Sequence, residues 1–422
     1  MRSFKKAIAD TRTEAPPLRR PAPAQRVLIA VVALAAIAIS LFAVSDVLGG
    51  RRPSPVTPKT AGEAVPRYYV QLDSHLEGGP AVRYGLLVGD TLTGQTVTTV
   101  QAPPGGSFLA VAGAVDDRTF VVLAGPASGT PGPAPGMDTS SPLPGTAESW
   151  YLLRLAPGTA SPARLTPIPG KPVAGVLGMA LSGSGRELAV TAAIGNQVPW
   201  LGIYSVATGR LLRAWSVAGT PPFQISSYSA VPAWIDGDQA IGFVAGTPGS
   251  PNGQTVRRLD IEIAGGDLAT DSRTIWSTPP VSRDQQGPPC ELLSYPPVST
   301  DGQTVVCMAP TPAFDPDTAI EHLTMRWMGY PVAARTAPQV LNQVSTSGVT
   351  GPENGAVLTT LWVSPSGATI IVEWGEYASL PGIPGTATML HFGVASHGTF
   401  RLLKAPPFSE PAFLSGQPSI AW

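Results

Sequence analysis

The sequence predicts an all-β fold built from repeated antiparallel units, and three observations lead to this prediction. Six segments between Val111 and Trp422 repeat one phrase, in which apolar residues flank a turn made of Gly, Ser or Asp. Pairs of apolar strands joined by a second Gly-containing turn recur between these phrases, and helical periodicity is nearly absent after Gly50. Two hairpins per repeat make a four-stranded sheet. The sequence therefore predicts a β-propeller of six four-stranded blades, with seven blades as the alternative.

The six repeated phrases differ in residue identity but keep the same order of apolar residues, turn and apolar residues. They read VAGAVDDRTFVVLA from Val111, GMALSGSGRELAVTA from Gly178, PAWIDGDQAIGFVA from Pro232, PPVSTDGQTVVCMA from Pro296, LWVSPSGATIIVEW from Leu361 and PAFLSGQPSIAW from Pro411. Self-similarity at a long period is typical of stacked supersecondary units, because one unit cannot bury its apolar faces alone.

The two ends of the repeat region are predicted to share one blade. The last phrase, from Pro411 to Trp422, has no hairpin after it, whereas Tyr68 to Leu72 and Val82 to Gln101 form strands with no phrase before them. We expect these N-terminal strands to complete the blade that the C-terminal phrase begins. Closure of this kind leaves the ring without a gap between its first and last blades.

Several of these turns resemble those of a known family. LSGSGRELAV at Leu181, VSTDGQTVVC at Val298 and VSPSGATIIV at Val363 resemble the inner turn of WD40-like and TolB-type propeller blades, and IYSVATGRLL at Ile203 resembles their outer turn. The resemblance covers residues 67–422 and implies a propeller fold. The chain departs from true WD40 blades in lacking their Trp-Asp pair and in having repeats longer than about 40 to 45 residues.

The segment from Val27 to Val44, VLIAVVALAAIAISLFAV, contains no charged residue and is long enough to span about 27 Å as a helix. Basic residues are concentrated before it, at Arg2, Lys5, Lys6, Arg12, Arg19, Arg20 and Arg26. This asymmetry predicts a single-pass anchor with its N-terminus in the cytoplasm and the propeller outside the cell membrane. The alternative is a cleaved secretory signal ending near Ala43 and Ser45.

The predicted organisation has four parts. Residues 1–26 form a basic cytoplasmic tail, residues 27–48 the transmembrane anchor, residues 49–66 a Pro-rich linker and residues 67–422 the extracytoplasmic propeller. The linker, GGRRPSPVTPKTAGEAVP, has almost no bulky apolar residue and is typical of an extended, semi-rigid spacer.

Composition excludes one class of partner. The formal net charge is -1 and only 13% of the residues are charged, with no basic stripe after Arg52. A protein that binds nucleic acid needs a basic field to meet the phosphates, so no nucleic acid partner is predicted.

The chain has two cysteines, Cys290 and Cys307, which are predicted to form a disulfide. Two buried free thiols are the alternative. The sequence has no CxxC motif and no His close to either cysteine, so neither a metal site nor a cofactor is predicted.

No catalytic residues are predicted, because the four His residues are scattered and no G-x-S-x-G motif occurs. Aromatic and acidic residues near two strand ends are candidate binding residues: Trp234, Asp236, Glu373, Trp374, Glu376 and Tyr377. Side chains of these types suit recognition of a peptide or a glycan. The alternative is packing between blades for the Trp residues and turn capping for Asp236.

Three functions are consistent with the sequence. The first is a non-catalytic, membrane-anchored propeller that binds an extracytoplasmic protein, peptide or glycan. The second is a transmembrane sensor or regulator that acts through its cytoplasmic tail, for example on a sigma factor. The third is an enzyme of the lactonase or cyclase type, which would need metal ligands from several blades.

Overall fold

The computed structural model describes only part of the chain. The described residues are 65–75, 83–126, 148–194, 198–218, 221–225, 231–246, 253–278, 290, 292, 297–315, 320–333, 338–348, 356–364, 369–377, 387–396, 399–403 and 420–422. They belong to one compact unit, Gly62–Trp422. The predicted tail and anchor lie outside the described residues. Within them, no helix has both the length and the apolar character that crossing a membrane requires.

The described strands are numbered here in chain order. The first half of the chain contains β1 (Tyr68–His75), β2 (Arg83–Asp90), β3 (Thr96–Val100), β4 (Gly106–Gly113), β5 (Thr119–Pro126), β6 (Ser149–Leu155), β7 (Ala163–Pro167), β8 (Val176–Leu181), β9 (Glu187–Ile194), β10 (Val198–Ser205) and β11 (Leu211–Ser216). The second half contains β12 (Ala233–Ile235), β13 (Ala240–Gly246), β14 (Gln254–Asp260), β15 (Gly266–Asp267), the short helix α1 (Leu268–Asp271), β16 (Ser272–Ser277), β17 (Thr304–Asp315), β18 (Ile320–Pro331), β19 (Gln339–Gly348), β20 (Ala356–Val363), β21 (Thr369–Tyr377), β22 (Ala387–Ser396), β23 (Thr399–Leu402) and β24 (Ile420–Ala421).

These strands form six sheets, which we number as blades along the chain. Their strand orders are β24-β1-β2-β3 in blade 1, β4-β5-β6-β7 in blade 2, β8-β9-β10-β11-β15 in blade 3, β12-β13-β14-β16 in blade 4, β17-β18-β19 in blade 5 and β20-β21-β22-β23 in blade 6. The prediction of six blades is confirmed.

Two blades depart from the four strands expected of every blade. In blade 3, β15 adds a fifth strand that pairs in parallel with β11, although it belongs to the connection between β14 and β16 of blade 4. In blade 5, the described part of the first strand is one bridge, between Val298 and Val305.

The segment formed by β15 and α1, which belongs to blade 4 and packs against blade 3, is held in place by one arginine. Arg257 donates to the carbonyl oxygens of Ala269 (2.9 Å) and Ser272 (2.6 Å). Its guanidinium lies 5.0 Å from the ring centre of Phe223, and burial lowers the pKa of Arg257. Leu268 of α1 is fully buried in the apolar cluster shared by these two blades.

The hydrophobic core lies between the blades, so blades 1 to 4 each contribute both faces of their sheets. Separate apolar clusters join blades 1 and 2, 2 and 3, 3 and 4, 4 and 5, and 6 and 1. Trp150 and Trp215 are only 1% exposed, and Trp327 is completely buried. The cluster between blades 6 and 1 contains Ile420 and Trp422, so the last residues of the chain are part of the core.

The outer turn that the sequence places in IYSVATGRLL, from Ile203, joins two paired strands as expected. Strands β10 and β11 pair in an antiparallel ladder. The turn between them contains Gly209 with a φ of 63°, the left-handed conformation that glycine adopts without steric cost.

A buried serine explains three of the repeated phrases. In blades 3, 5 and 6 the turn between the first two strands begins with a fully buried serine: Ser182, Ser299 and Ser364. Each serine hydroxyl accepts a hydrogen bond from the backbone N–H five residues later, at Glu187 (3.1 Å), Thr304 (3.0 Å) and Thr369 (3.0 Å). In blade 2, Ala114 occupies this position, and Asp116 accepts from the N–H of Thr119 instead (2.8 Å). The phrase therefore encodes a self-closing turn.

The predicted closure of the ring is confirmed. Strand β24 pairs with β1, with Val70 opposite Ala421 and Gln71 opposite Ile420. The ring of Trp422 lies 5.9 Å from that of Tyr69, and its Nε1 donates to Thr91 Oγ1 (3.2 Å). Of the C-terminal phrase, the described part contributes this single inner strand.

Asp90 stabilises the region where the chain enters blade 1. Its Oδ1 accepts from the N–H groups of Leu92 and Thr93, both at 2.9 Å, and its Oδ2 accepts from Arg67 Nε at 3.1 Å. Burial alone would raise the pKa of Asp90, but the hydrogen bonds from Thr93, Arg67 and Leu92 outweigh it and lower the pKa. Because Arg67 is 60% exposed, solvent screens the ion pair, so the backbone hydrogen bonds matter more.

We expect the propeller to lose stability in acid partly through Asp90. Its folded pKa lies below the unfolded value of about 3.9, so its stabilising contribution is complete above that value and is lost as pH falls through the folded pKa. Melting temperatures measured from pH 6 to pH 3 should fall less steeply for Asp90→Asn than for the native chain below about pH 4. Parallel curves would contradict this role.

Candidate functional site

The turns between the first and second strands of the blades lie at one end of the ring, because the blades follow each other in the same orientation. We call these residues the turn ring: 114–118, 182–186, 236–239 and 299–303, together with the chain ends Arg67 and Trp422. Arg67 and Trp422 occupy the place where blade 1 would have its own turn, since β24 ends and β1 begins there.

Aspartates link neighbouring members of the turn ring. Asp117 has a φ of 51° and its Oδ2 accepts from the backbone N–H of Arg67 (2.6 Å) in blade 1. Asp238 has a φ of 68° and its carboxylate accepts from the N–H groups of Gly183 (2.8 Å) and Ser184 (3.0 Å) in blade 3. Aspartate tolerates the left-handed conformation better than most residues, which lets each carboxylate reach the preceding blade.

Asp236 joins blade 4 to blade 5 and to its own third strand. Its N–H donates to the carbonyl oxygen of Thr300 (2.8 Å), and its carboxylate forms an ion pair with Arg258, which also contacts Asp260 (2.7 Å). Burial would lower the pKa of Arg258, but hydrogen bonds to Asp260 and Asp236 raise it. Gly302 has a φ of 70°, and a Cβ atom there would lie 2.8 Å from Asp236 Oδ1, so this turn favours a glycine.

Trp234 packs between blades 3 and 4. Its side chain is only 5% exposed, and its Nε1 donates to the carbonyl oxygen of Ala180 (2.9 Å). The contacts described for Trp234 and Asp236 are thus the inter-blade and turn contacts that the sequence analysis gave as the alternative to ligand binding.

The other candidate binding residues lie in blade 6, with blade 5 between them and the first pair. Glu373, Trp374, Glu376 and Tyr377 occupy the last part of β21, the second strand of blade 6. In the strand register, Trp374 lies opposite Leu358 and His391. Their backbone is described, whereas their side chains lie outside what the structure describes.

Cys290 and Cys307 are joined in a disulfide, with their Cα atoms 5.5 Å apart. Both residues are fully buried in the cluster between blades 4 and 5, beside Val298 and Val305. The disulfide therefore fastens the segment before blade 5 to its strand β17.

Sequence reasoning did not predict the roles of Asp117, Asp238 and Arg258. The aspartates carry a signal, since an Asp at the centre of a tight turn often adopts a positive φ. The residues that these aspartates bind in the preceding blade carry no such signal, because the contacts depend on how two blades pack. Across the described ranges, no group of three or more His, Cys, Asp or Glu side chains is arranged to hold a metal ion.

The closed ring of six sheets defines this protein as a six-bladed β-propeller. No protein-family model matches the chain, and no curated protein sequence matches it.

Several solved propeller structures are similar to the chain. TolB from Acinetobacter baumannii has 15% sequence identity and a TM-score of 0.41, with 84% of this chain and 66% of that chain covered. A putative TolB from Agrobacterium tumefaciens has 10% identity and a TM-score of 0.41, covering 83% of this chain and 93% of that chain. The β-propeller domain of Cps50 (Swd1) from Myceliophteria thermophila has 10% identity and a TM-score of 0.36, covering 83% and 90%.

Replacement of Asp238 is expected to destabilise the junction of blades 3 and 4. Asp238→Ala loses two charge-assisted hydrogen bonds and keeps an unfavourable φ, so unfolding should become easier by about 2 kcal/mol. Asp238→Asn keeps one acceptor oxygen, so its stability should fall less. Asp238→Gly removes the unfavourable backbone conformation, so its loss of stability measures the hydrogen bonds alone. Urea unfolding of the three variants measures the series, and equal midpoints would refute the inter-blade role.

Proposed function

We propose that the chain is a non-catalytic, membrane-anchored β-propeller that lies outside the cytoplasm and binds a partner protein or peptide. The observation that carries this proposal is the buried disulfide between Cys290 and Cys307. Disulfides of this kind form and persist in oxidising compartments and are rare in the cytosol. The uncharged segment from Val27 to Val44 and the basic residues before it support the same placement.

The binding part of the proposal concerns blade 6. Trp234 and Asp236 are engaged between blades, so the remaining aromatic and acidic candidates are Glu373, Trp374, Glu376 and Tyr377. They follow one another at the end of β21, next to the connection to β22. Two aromatic and two acidic residues within one short stretch of strand supply both apolar surface and hydrogen-bond acceptors, which suits a peptide that carries basic residues.

The location can be tested on intact cells that produce the full chain. Protease added to spheroplasts should digest the large domain and leave the N-terminal tail protected, and thiol labelling of the non-reduced, denatured chain should find no free cysteine. A protected large domain, a mature chain that starts near Asp46, or two reactive thiols would each contradict the proposal.

The binding site can be tested with a photoreactive amino acid placed at position 377 of the full chain. Irradiation should give a discrete crosslinked product that disappears when Trp374→Ala is added. The matched control carries the same group at Val115, which is 70% exposed and lies in the turn ring. Identical products from the two positions, or products that Trp374→Ala leaves unchanged, would refute binding at blade 6.

A further inference from the structure

The outer strand of blade 3 exposes two neighbouring leucines at its start. Leu211 and Leu212 are 42% and 36% exposed, and among the five exposed large hydrophobic residues of the described chain they alone are adjacent in sequence. In the pairing of β10 with β11, Arg213 lies opposite Ile203 and Leu211 lies opposite Tyr204, so Leu212 is the extra residue of a β-bulge. A bulge interrupts the alternation that would direct one of two consecutive side chains to the core. The edge of blade 3 therefore presents an apolar pair to its surroundings.

Basic residues flank this apolar pair. Arg210 is exposed and Arg213 is half-buried, and Arg186 is exposed in the first turn of the same blade. None of these three arginines takes part in an ion pair within the described chain. The acidic residues of blade 3 are Glu187 and Asp267, and the carboxylate of Asp267 accepts from the backbone at the start of α1. The exposed leucines are therefore bordered by positive charge.

Charge is unevenly distributed around the propeller. Residues 148–218, which form the outer strands of blade 2 and nearly all of blade 3, contain six basic and two acidic residues. The remainder of residues 67–422 contains 11 basic and 22 acidic residues. In blade 2, Arg154 lies directly opposite Arg164 and both are exposed, an arrangement in which like charges repel unless an anion lies between them. A negatively charged surface would attract blades 2 and 3 and repel the other blades, and so would orient the propeller.

The exposed edge lies at the end of the propeller where the chain enters it. Ser205, the last residue of β10, lies opposite Glu187, the first residue of β9, so the turn before Leu211 lies beside the turn 182–186. This is the end that carries the turn ring, and Arg67 leads into β1 there. A tether that runs into Arg67 therefore holds the propeller with this end nearest to the point of attachment.

We propose that the start of β11 docks on an anionic lipid surface. Leu211 and Leu212 enter the region of the lipid headgroups, and Arg210 and Arg213 bind the phosphates. Leucine beside arginine suits a membrane interface, because the first contributes apolar burial and the second contributes electrostatic attraction.

This inference rests on the proposed membrane anchor, which is also the reason for choosing a lipid surface as the occupant. The linker, residues 49–66, has 18 residues and reaches about 56 Å at about 3.1 Å per residue, so it keeps the propeller close to the bilayer. The tether brings the lipid to the exposed end of the propeller, and the uneven charge turns the two leucines toward it.

The test uses the full chain reconstituted into vesicles, with a photoreactive amino acid at position 212. The vesicles contain either phosphatidylcholine alone or equal amounts of phosphatidylcholine and phosphatidylglycerol. Irradiation should join lipid to the chain mainly in the anionic vesicles, since each basic residue near such a surface strengthens binding about fivefold. The paired change Arg210→Gln and Arg213→Gln should lower the lipid-linked fraction by about fivefold or more, whereas Arg210→Lys with Arg213→Lys should retain it.

The matched control carries the same photoreactive amino acid in place of Val340, which is 55% exposed in the outer strand of blade 5. It should give little lipid product in either kind of vesicle. The comparison of the two kinds of vesicle and of the two positions needs no arginine variant, so it stands even if the glutamine variant does not fold. Equal lipid products in the two kinds of vesicle, equal products at positions 212 and 340, or crosslinks from position 212 to a second chain in place of lipid would overturn the proposal.

Extraction of the same vesicles with alkaline carbonate tests the anchor separately, because it removes proteins that do not span the bilayer. A chain that is extracted contradicts the proposed anchor and this inference together. A chain that is retained but gives no lipid product at position 212 contradicts this inference alone.

Discussion

Deletion of residues 420–422 is expected to destabilise the whole propeller, although it removes only the last three residues of the chain. The deletion removes β24 and leaves the inner edge of β1 unpaired. It also removes Ile420 and Trp422 from the apolar cluster between blades 6 and 1. Trp422→Ala alone should lower the free energy of unfolding by about 3 to 5 kcal/mol, because the Trp422 side chain is only 5% exposed.

Thermal and urea unfolding of the full chain measure this effect. The control is deletion of linker residues 54–62, which should leave the melting temperature nearly unchanged. If the chain without residues 420–422 melts at the same temperature as the native chain, the C-terminal strand does not hold the ring closed.

Loss of the disulfide is expected to have the next largest effect. Cys290 and Cys307 are 17 residues apart, and a crosslink across a loop of this size stabilises by about 3 kcal/mol through the unfolded chain. The double variant Cys290→Ala and Cys307→Ala should therefore unfold at a clearly lower urea concentration. Both side chains are fully buried, so small cavities add to the loss.

A reducing agent provides the matched comparison. In urea transitions measured at equilibrium, the reducing agent should shift the midpoint of the native chain and leave the midpoint of the double variant unchanged. A double variant as stable as the oxidised native chain would show that the crosslink does not contribute to stability.

The sequence predicted those parts of the fold that depend on local chemistry. The repeated phrase identified the first hairpin of several blades, because the hydrogen bond to the buried serine and the positive φ of the glycine that follows it lie within the turn itself. The blade shared by the two ends of the repeat region was also predictable. The C-terminal phrase has no hairpin after it, and the N-terminal strands have no phrase before them.

Contacts between blades could not be predicted in the same way. The parallel pairing of β15 with β11 involves two residues from the next blade, and a Gly-Asp pair carries no strand signal. The burial of Trp234 and the bonds from Asp238 to blade 3 depend on how far apart two sheets lie. Strand periodicity predicts which side chains alternate between the two faces of one sheet. It does not predict the distance between two sheets.

The entry point of the chain also determines how the propeller responds to mechanical load. A pull on the chain before Arg67 acts directly on β1, an interior strand that is paired with β2 along its whole length and with β24 on its other side. Such a pull shears β1 between its two neighbours, so many hydrogen bonds must break together rather than one after another. The point at which the chain enters blade 1 is therefore a position that resists force, and a load large enough to overcome it would open the ring at blade 1.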